Sequence, residues 1–506
     1  MNSAQYHAVF QTLRTGGDPA AWTSLARQTA FSFLDHCYYN DHYEPEYIRL
    51  LCEMSLAVPD PQVNKIGTAA LFGIVIEELC DDYEDFQFDT YSRAMAQILE
   101  YCRRLPQGRR LDEQLNAFGL THSDMLLERF RRIHFTPSAW RPQSPVEKII
   151  ILSRITIGAD VAVVSVLLQR LLQAYPRADA LLLGDEKIAG LFAGHPRIRV
   201  CPLAYPRRGG LLQRFDAWHV ILEILAREIP PGSASSVLLV DPDSRLSQLG
   251  MLPLGNDQNY LYFDTHDASR QVRHLSMAEL ANTWLDSIVG PSAFCYPRVW
   301  PAPAVSAHAQ TLLAAPRRCG CQRIVTVNFG VGGNERKRLG IGFETELVRR
   351  LLATPHTMVI LDEGFGPEEV NAAQAILAAV GADGKPARVA RLDNPADWAL
   401  SEGVLAVSCS IGAMAALIGG SDEFIGYDSA CQHIAAALQI PTITVFAGTN
   451  NPRFIRRWKA CSPGPAAIVH VNAFRHDGSP HDLEVVARIL QERSQRAGPP
   501  PAEAPL

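Results

Sequence analysis

None of the eleven cysteines stands in a C-x-x-C pair, and the nearest approach, Cys319-Gly-Cys321, fits neither a zinc knuckle nor a disulfide framework. Scattered thiols of this kind read as reduced core residues of a cytoplasmic protein. An excess of charge is also missing. The chain has 47 basic and 53 acidic side chains, a net charge of -6, and no Lys/Arg stripe interleaved with aromatics, so nucleic acid is not an expected partner. The first residues lack the basic-then-apolar pattern of a signal sequence, and no uninterrupted apolar run is long enough to span a bilayer. Association with a membrane, at its inner face, is therefore expected to be peripheral if it occurs.

What is present is an ordinary core-forming composition: 506 residues, 47% hydrophobic, enough for two or three domains. Residues 1–145 read as a helical accessory domain, with apolar residues at three- and four-residue spacing in Leu71–Leu79 and Ala94–Cys102. The acidic cluster of Glu77, Glu78, Asp81, Asp82, Glu84 and Asp85 reads as solvated helix ends in preference to a metal site. Thr136–Pro145 (TPSAWRPQSP) reads as a linker.

From Glu147 short apolar runs alternate with helical stretches, the signature of a parallel α/β fold. Strands are expected at 148–153, 180–183, 237–240 and 261–263, with a helix from about Asp160 to Tyr175. A second series is expected at 323–329, 357–361, 388–392, 423–426 and 442–446. Two Rossmann-like domains follow, 146–300 and 301–475, separated by the Pro-rich segment Pro291–Pro303 and facing each other across a cleft. Residues 476–506, with GPPPAEAP near the end, read as a partly disordered tail.

The most informative segment runs from Tyr427 to Thr449, YDSACQHIAAALQIPTITVFAGT. Asp428 and Ser429 stand at a helix N-cap, His433 follows one turn later, and Ile440-Pro441 leads into a buried strand. The N–H groups and positive dipole end of such a helix attract a diphosphate, and small Ala430 leaves room for it to approach; a plain capped helix with a packing histidine fits the same letters. A second cradle is the turn Asn328-Phe-Gly330-Val-Gly332-Gly333-Asn334-Glu-Arg336-Lys337-Arg338. Its glycines admit an anion to the backbone, and its three cations offset the charge of a leaving diphosphate. A third constellation, Asp241-Pro-Asp243-Ser-Arg245, follows an apolar strand; its Asp-x-Asp pair fits a Mn²⁺ or Mg²⁺ site less well than acceptor contacts or a competing base, and a strand-end turn is the simplest reading.

On these residues the second half resembles the donor domain of heptosyltransferase-type, family 9-like inverting glycosyltransferases, which have the two-domain GT-B fold. Asp428, Ser429, His433, Ala436, Ala437, Leu438, Pro441 and Thr442 match the family's D-S/T-G-x-x-H-x-x-A-A-L-x-x-P-T segment, with Ala430 in place of Gly. Arg154-Ile-Thr-Ile-Gly-Ala-Asp160-Val resembles its R-L-G-A-I-G-D-V opening, with Ala159 in place of Gly and Val166 in place of a Pro. The likeness covers roughly residues 147–475.

It implies transfer of a sugar from a nucleotide donor, often ADP-heptose, with Asp160 as general base and Lys337 holding the diphosphate. By the same likeness Asn328, Gly330, Gly332, Gly333, Asn334, Asp428, Ser429, Ala430 and His433 line the donor site, Glu368 sits near the ribose, and no cofactor or metal is needed. A glycan, lipid-linked or protein acceptor is implied, in lipopolysaccharide biosynthesis for many relatives, and homo-oligomerisation is left open. The same fold would also serve a nucleotide-sugar epimerase, or an inactive binding or scaffold protein.

Overall fold

The computed structural model describes residues 2–14, 18–81, 85–135, 145–266, 272–473 and 479–496. Most of the expected linker (136–144), Asp82 and Glu84 of the acidic cluster, and the GPPPAEAP stretch lie outside the described residues. The chain begins with helices only. Ser3–Leu13 and Pro19–Asn40 start at Asn2 and Asp18, whose side chains accept from backbone N–H groups of the first turn. Pro45–Met54, Pro61–Ala70, Asp85–Arg103, Arg109–Ala117 and Ser123–Phe135 follow, with a widened i→i+5 stretch at Leu71–Ile76.

The first sheet has five parallel strands: β1 (Lys148–Leu152), β2 (Asp179–Gly184), β3 (Ile198–Pro202), β4 (Val237–Asp241) and β5 (Tyr260–Tyr262), in the order β3-β2-β1-β4-β5. Strand period fixes what each face meets. Ile149 and Ile151 face a core with the helix that follows β1, whereas Ile150 and Leu152 face a core shared with the helical region. The helical region therefore lies against one face of the first sheet, beside the helix Asp216–Glu228, and shares its core.

The second sheet has seven parallel strands: β6 (Arg323–Asn328), β7 (Thr357–Asp362), β8 (Ala387–Val389), β9 (Gly403–Val407), β10 (Glu423–Tyr427), β11 (Thr442–Phe446) and β12 (Ala466–His470), in the order β12-β11-β10-β6-β7-β9-β8. The strand order reverses between β1 and β4 in one sheet and between β6 and β10 in the other, and loops diverge at such points to leave a crevice. Strands β3, β9 and β12 carried no signal strong enough to be expected. β3 is interrupted by Arg199, and β9 and β12 are five-residue runs with no periodicity to separate them from loop. The run expected at 388–392 is the short edge strand β8.

Two further expectations need correction. The supposed tail holds a helix, Ser479–Arg496, whose Val485, Val486 and Ile489 are buried in the second lobe and whose Arg493 donates to both oxygens of Glu423. The apolar residues at i, i+1 and i+4 outweigh the polar surroundings. All eleven cysteines are free thiols, but Cys319 is exposed and not a core residue. Among the described residues one helix, Ile157–Ala174, is long and apolar enough by composition to cross a membrane, but Asp160 and Arg170 interrupt it and most of it is buried as a core helix.

The lobes meet over a continuous apolar core in which Val161, Val164 and Leu168 of the first pack with Met414, Ala415, Cys431 and Ile434 of the second. Two glycines permit the approach. A Cβ on Gly158 would lie 3.1 Å from the His433 ring and 3.2 Å from the Ala430 Cα, and one on Gly190 would lie 3.1 Å from the Gly412 Cα.

Candidate active site

In the second lobe, β10 delivers Asp428 and Ser429 to the start of the helix Ala430–Ala437. Ser429 occupies the N-cap position, but its hydroxyl does not cap the helix; it donates to Asn328 Oδ1 at 3.1 Å instead. Asn328 in turn donates to Asp362 Oδ2 at 2.7 Å, which ties the ends of β6, β7 and β10 together. Asp428 does not cap either. Its Oδ1 accepts from Gln432 at 2.6 Å, and its Oδ2 lies 2.5 Å from Lys337 Nζ. The expected Asp-Ser cap is thus corrected: both side chains turn sideways, and no side chain of the cap residue takes the first-turn N–H groups.

Lys337 stands at the end of a short turn, Glu335–Lys337, capped by the Asn334 side chain. Its ammonium is also 3.4 Å from the Asp428 carbonyl and 5.5 Å from the centre of the Phe454 ring. Gly332 and Gly333 have φ of 62° and 83°, left-handed values that a side chain would strain. Arg338, counted among the cations of this turn, is not available to a ligand, because both carboxylate oxygens of buried Glu344 hold it at 2.7 Å. Arg336 is exposed.

Glu368 is exposed, whereas its neighbour Glu369 accepts from Phe365 N at 2.7 Å and from Val331 N at 3.2 Å. Glu369 therefore pins the glycine loop, a role the sequence pattern had not singled out. His433 is buried against Trp458, and burial, the largest influence, lowers its pKa to about 4, so it is neutral at pH 7.

In the first lobe, Asp160 begins a widened turn, Asp160–Val164, inside the helix that starts at Ile157. It is fully buried; Ser153 Oγ donates to Oδ2 and Arg154 N to Oδ1, each at 2.7 Å. Burial pushes its carboxyl up to about 7, against these two hydrogen bonds, which favour the ionised form. Ile155, between them, has φ of 73°, an outlier for a β-branched residue, and Asp243 at the end of β4 has φ of 64°. Backbone strain of this kind gathers where surrounding structure holds a functional turn in place.

Asp241 accepts from Ser244 N at 2.8 Å and from Tyr260 at 2.7 Å, and burial lifts it to about 6. Asp243 accepts from Tyr262 and Thr265, lies 3.1 Å from His266 Nδ1 and is 3.5 Å from Arg154. Burial alone would raise its pKa, but His266 and Arg154 outweigh burial and hold it well below the usual carboxylate range. Both aspartates are enclosed by protein hydrogen bonds, while Arg245 faces the helical region, 3.5 Å from Glu77. Among the described residues no group of three His, Cys, Asp or Glu side chains is placed to hold a metal ion.

The lobes meet at Gly158, which sets the turn before Asp160 against the first turn of the Ala430–Ala437 helix. Arg154 lies 6.0 Å from the Trp458 ring of the other lobe, and Arg453 donates to the His266 carbonyl. Arg208, on the first lobe, reaches to 4.0 Å from where a side chain on Gly333 would begin. The basic, glycine-flanked loop Pro206-Arg-Arg-Gly-Gly210 carried the same signal as the turn at 328–338, and that signal could have found it.

Residues 378–465 match the model of glycosyltransferase family 9 (heptosyltransferase). No curated protein matches the chain. Among solved structures, it is similar to a family 9 glycosyl transferase from Veillonella parvula, with 14% identity and a TM-score of 0.46 over 68% of this chain and 89% of that one. It is similar also to E. coli ADP-heptose LPS heptosyltransferase II, with 15% identity and a TM-score of 0.45 over 69% and 100% of the two chains. E. coli heptosyltransferase WaaC with ADP gives the same four values. The family 9 match takes in β10, Asp428, Ser429, the Ala430–Ala437 helix and β11, so the segment similar to that family lies on the second of the two facing Rossmann-like lobes.

Proposed function

We propose that this chain is a metal-independent inverting glycosyltransferase that moves a sugar, a heptose first among the candidates, from a nucleoside diphosphate donor to an acceptor hydroxyl. The observation that carries this reading is Lys337 within 2.5 Å of Asp428, beside a helix start whose N–H groups the cap side chain leaves alone. The diphosphate takes the place of Asp428 as partner of Lys337, against the helix start and the turn from Gly330 to Asn334. Arg208 approaches from the other lobe. Asn328, Ser429, Ala430 and His433 shape the floor of this site, and Glu368 faces the ribose from the rim.

The reaction is one displacement. The acceptor oxygen bonds to the anomeric carbon, the bond to the diphosphate breaks on the opposite face, and the hydroxyl proton passes to Asp160. A base works best with a pKa near the working pH, and Asp160 at about 7 meets that condition. Its oxygens are released to the acceptor when the strained turn at Ile155 shifts. Charge arriving on the leaving diphosphate is met by Lys337 and the helix N–H groups; one such preorganised donor contributes about 3 kcal/mol. Asp241, Asp243 and Arg245 stand on the acceptor side, which suits a glycan, lipid-linked or protein acceptor in the cytoplasm or at the inner membrane face.

Incubating the protein with ADP-, GDP- and UDP-sugars in the presence of a chelator tests this. Release of a nucleoside diphosphate by the wild type and not by Asp160→Asn is expected, and no consumption of any donor contradicts it. Full burial of Asp160 favours a second reading, a nucleotide-sugar-binding protein without transfer; tight binding with no turnover would establish that one.

A further inference from the structure

Of the large apolar side chains described on the second lobe, Phe365 is the most exposed, at 66%. A single exposed ring needs no explanation by itself, but this one has a fixed backbone. Phe365 N donates to Glu369 Oε2 at 2.7 Å, Gly364 N donates to Asp362 Oδ1 at 3.0 Å, and the flanking Gly364 and Gly366 have φ of 70° and 96°. A Cβ on Gly364 would fall 2.1 Å from Glu369 Oε2, so the turn admits only glycine there.

The carboxylate that holds Phe365 also holds the glycine turn of the Lys337 site, because Glu369 Oε1 accepts from Val331 N at 3.2 Å. The two loops are thus tied together. The glycine turn follows β6 and Phe365 follows β7, neighbouring strands whose spacing is about 5 Å, so the ring stands beside the diphosphate cradle and not inside it. Away from β7, above β10, the cleft is filled where the Gly158 turn packs on Ala430 and His433, and where Trp458 packs on His433. Toward β7 and β9 it is open: Phe365, Ser408 and Ser410 are all exposed. A nucleoside attached to a diphosphate in the cradle therefore extends toward Phe365.

A second observation comes from the first lobe. Lys187 lies in the short turn Glu186–Ile188 after β2, its N–H donating to Asp185 at 2.8 Å, and its ammonium stands 4.9 Å from the centre of the Phe365 ring. This cation–π contact crosses the cleft. Phe365 keeps its exposure with the ammonium in place, so a flat partner has room on the ring.

We propose that Phe365 is the platform on which the donor's nucleobase stacks, with Lys187 backing the ring from the opposite lobe. The proposal rests on the donor reading of the Lys337 site and adds its base-binding end. Every base has a π-face, so the platform supplies affinity for a nucleoside more than choice among bases. Lys187 makes that platform a joint product of the two lobes.

Calorimetric titration of pyrophosphate and of ADP, GDP and UDP into the wild type, Phe365→Ala and Phe365→Trp tests this. Phe365→Ala is expected to weaken the best-bound nucleoside diphosphate about tenfold while pyrophosphate affinity and melting temperature stay unchanged, and Phe365→Trp to retain wild-type affinity. Lys187→Met is expected to weaken the same nucleotide by about two- to fivefold. Equal nucleotide affinity in the wild type and Phe365→Ala would reduce the ring to a contact between lobes and overturn the proposal, as would equal weakening of pyrophosphate and nucleotide. Pyrophosphate binding that no nucleoside improves overturns the platform and leaves the Lys337 cradle standing. Failure of pyrophosphate and all three nucleotides to bind the wild type overturns the donor reading, and the platform with it.

Discussion

At the ends of β1 and β4 the first sheet places three carboxylates, Asp160, Asp241 and Asp243, each at most 2% exposed and each held by protein hydrogen bonds. At the ends of β6 and β10 the second sheet places a partly exposed Lys337, two glycines in left-handed conformations and a helix start left alone by its cap. Both sheets reverse their strand order at these points, and the electrostatics there are opposite. One crevice holds two carboxyls, Asp160 and Asp241, that burial makes reluctant to ionise beside an Asp243 kept ionised by His266 and Arg154, and the other offers a cation and N–H dipoles. A displacement reaction needs both: a proton acceptor of pKa near neutrality on one side, and stabilisation of a departing diphosphate on the other.

Removing the base should break the comparison most severely. Asp160→Asn is expected to lower transfer by about 10²–10⁴ with donor binding unchanged, as measured by single-turnover kinetics. The same variant has a stability signature. Burial raises this carboxyl to about 7, so the folded protein keeps a proton that the unfolded chain releases near pH 4. Stability from this group is then greatest at low pH and is lost as pH rises from about 4 through about 7. Asp160→Asn removes that loss, so its melting temperature relative to wild type should be higher at pH 8 than at pH 5. An equal difference at both pH values would show that the carboxyl is not buried in its charged form.

Next in size is the other crevice. Lys337→Ala should lower transfer by about 10²–10³ and weaken nucleoside diphosphate binding, the loss expected for one preorganised donor to a leaving oxyanion. Gly158→Val probes how the two crevices are held face to face, since the added atoms meet Ala430 and His433 at 3.1–3.2 Å. Overpacking of this kind costs about 1–3 kcal/mol, read from the midpoint of denaturant unfolding. Arg208→Gln should give the smallest effect, about tenfold in kcat/KM for the donor, the worth of one charge-assisted hydrogen bond. An effect as large as that of Lys337→Ala would move the leaving-group contact to the first lobe.

The crevice of the second lobe was far more legible in the sequence than that of the first. Glycines with positive φ, a basic turn and an Ala-rich helix start are local features, and each leaves letters in one short segment. Even there Arg338 misled, and Glu369 went unnoticed beside Glu368, because pairing to Glu344 and the pinning of the loop depend on contacts that close only in the fold. In the first lobe, Asp160 was singled out by resemblance, but its burial follows from packing between lobes that no local pattern records. The network joining Arg154, Asp243 and His266 to the Cys80 carbonyl spans residues 80 to 266 and has no local signature at all. The strands were readable where apolar runs were long and bounded by turn residues, as in β1 and β6. They were lost where a charge interrupted the run, as in β3.

Titrating ADP, GDP and UDP into the wild type and into Lys337→Ala by calorimetry addresses the central claim, that a diphosphate lodges between Lys337 and the start of the Ala430–Ala437 helix. The account predicts that one of the three binds the wild type and that Lys337→Ala weakens it at least tenfold. Absence of binding by all three, or equal affinity in the two proteins, would contradict it.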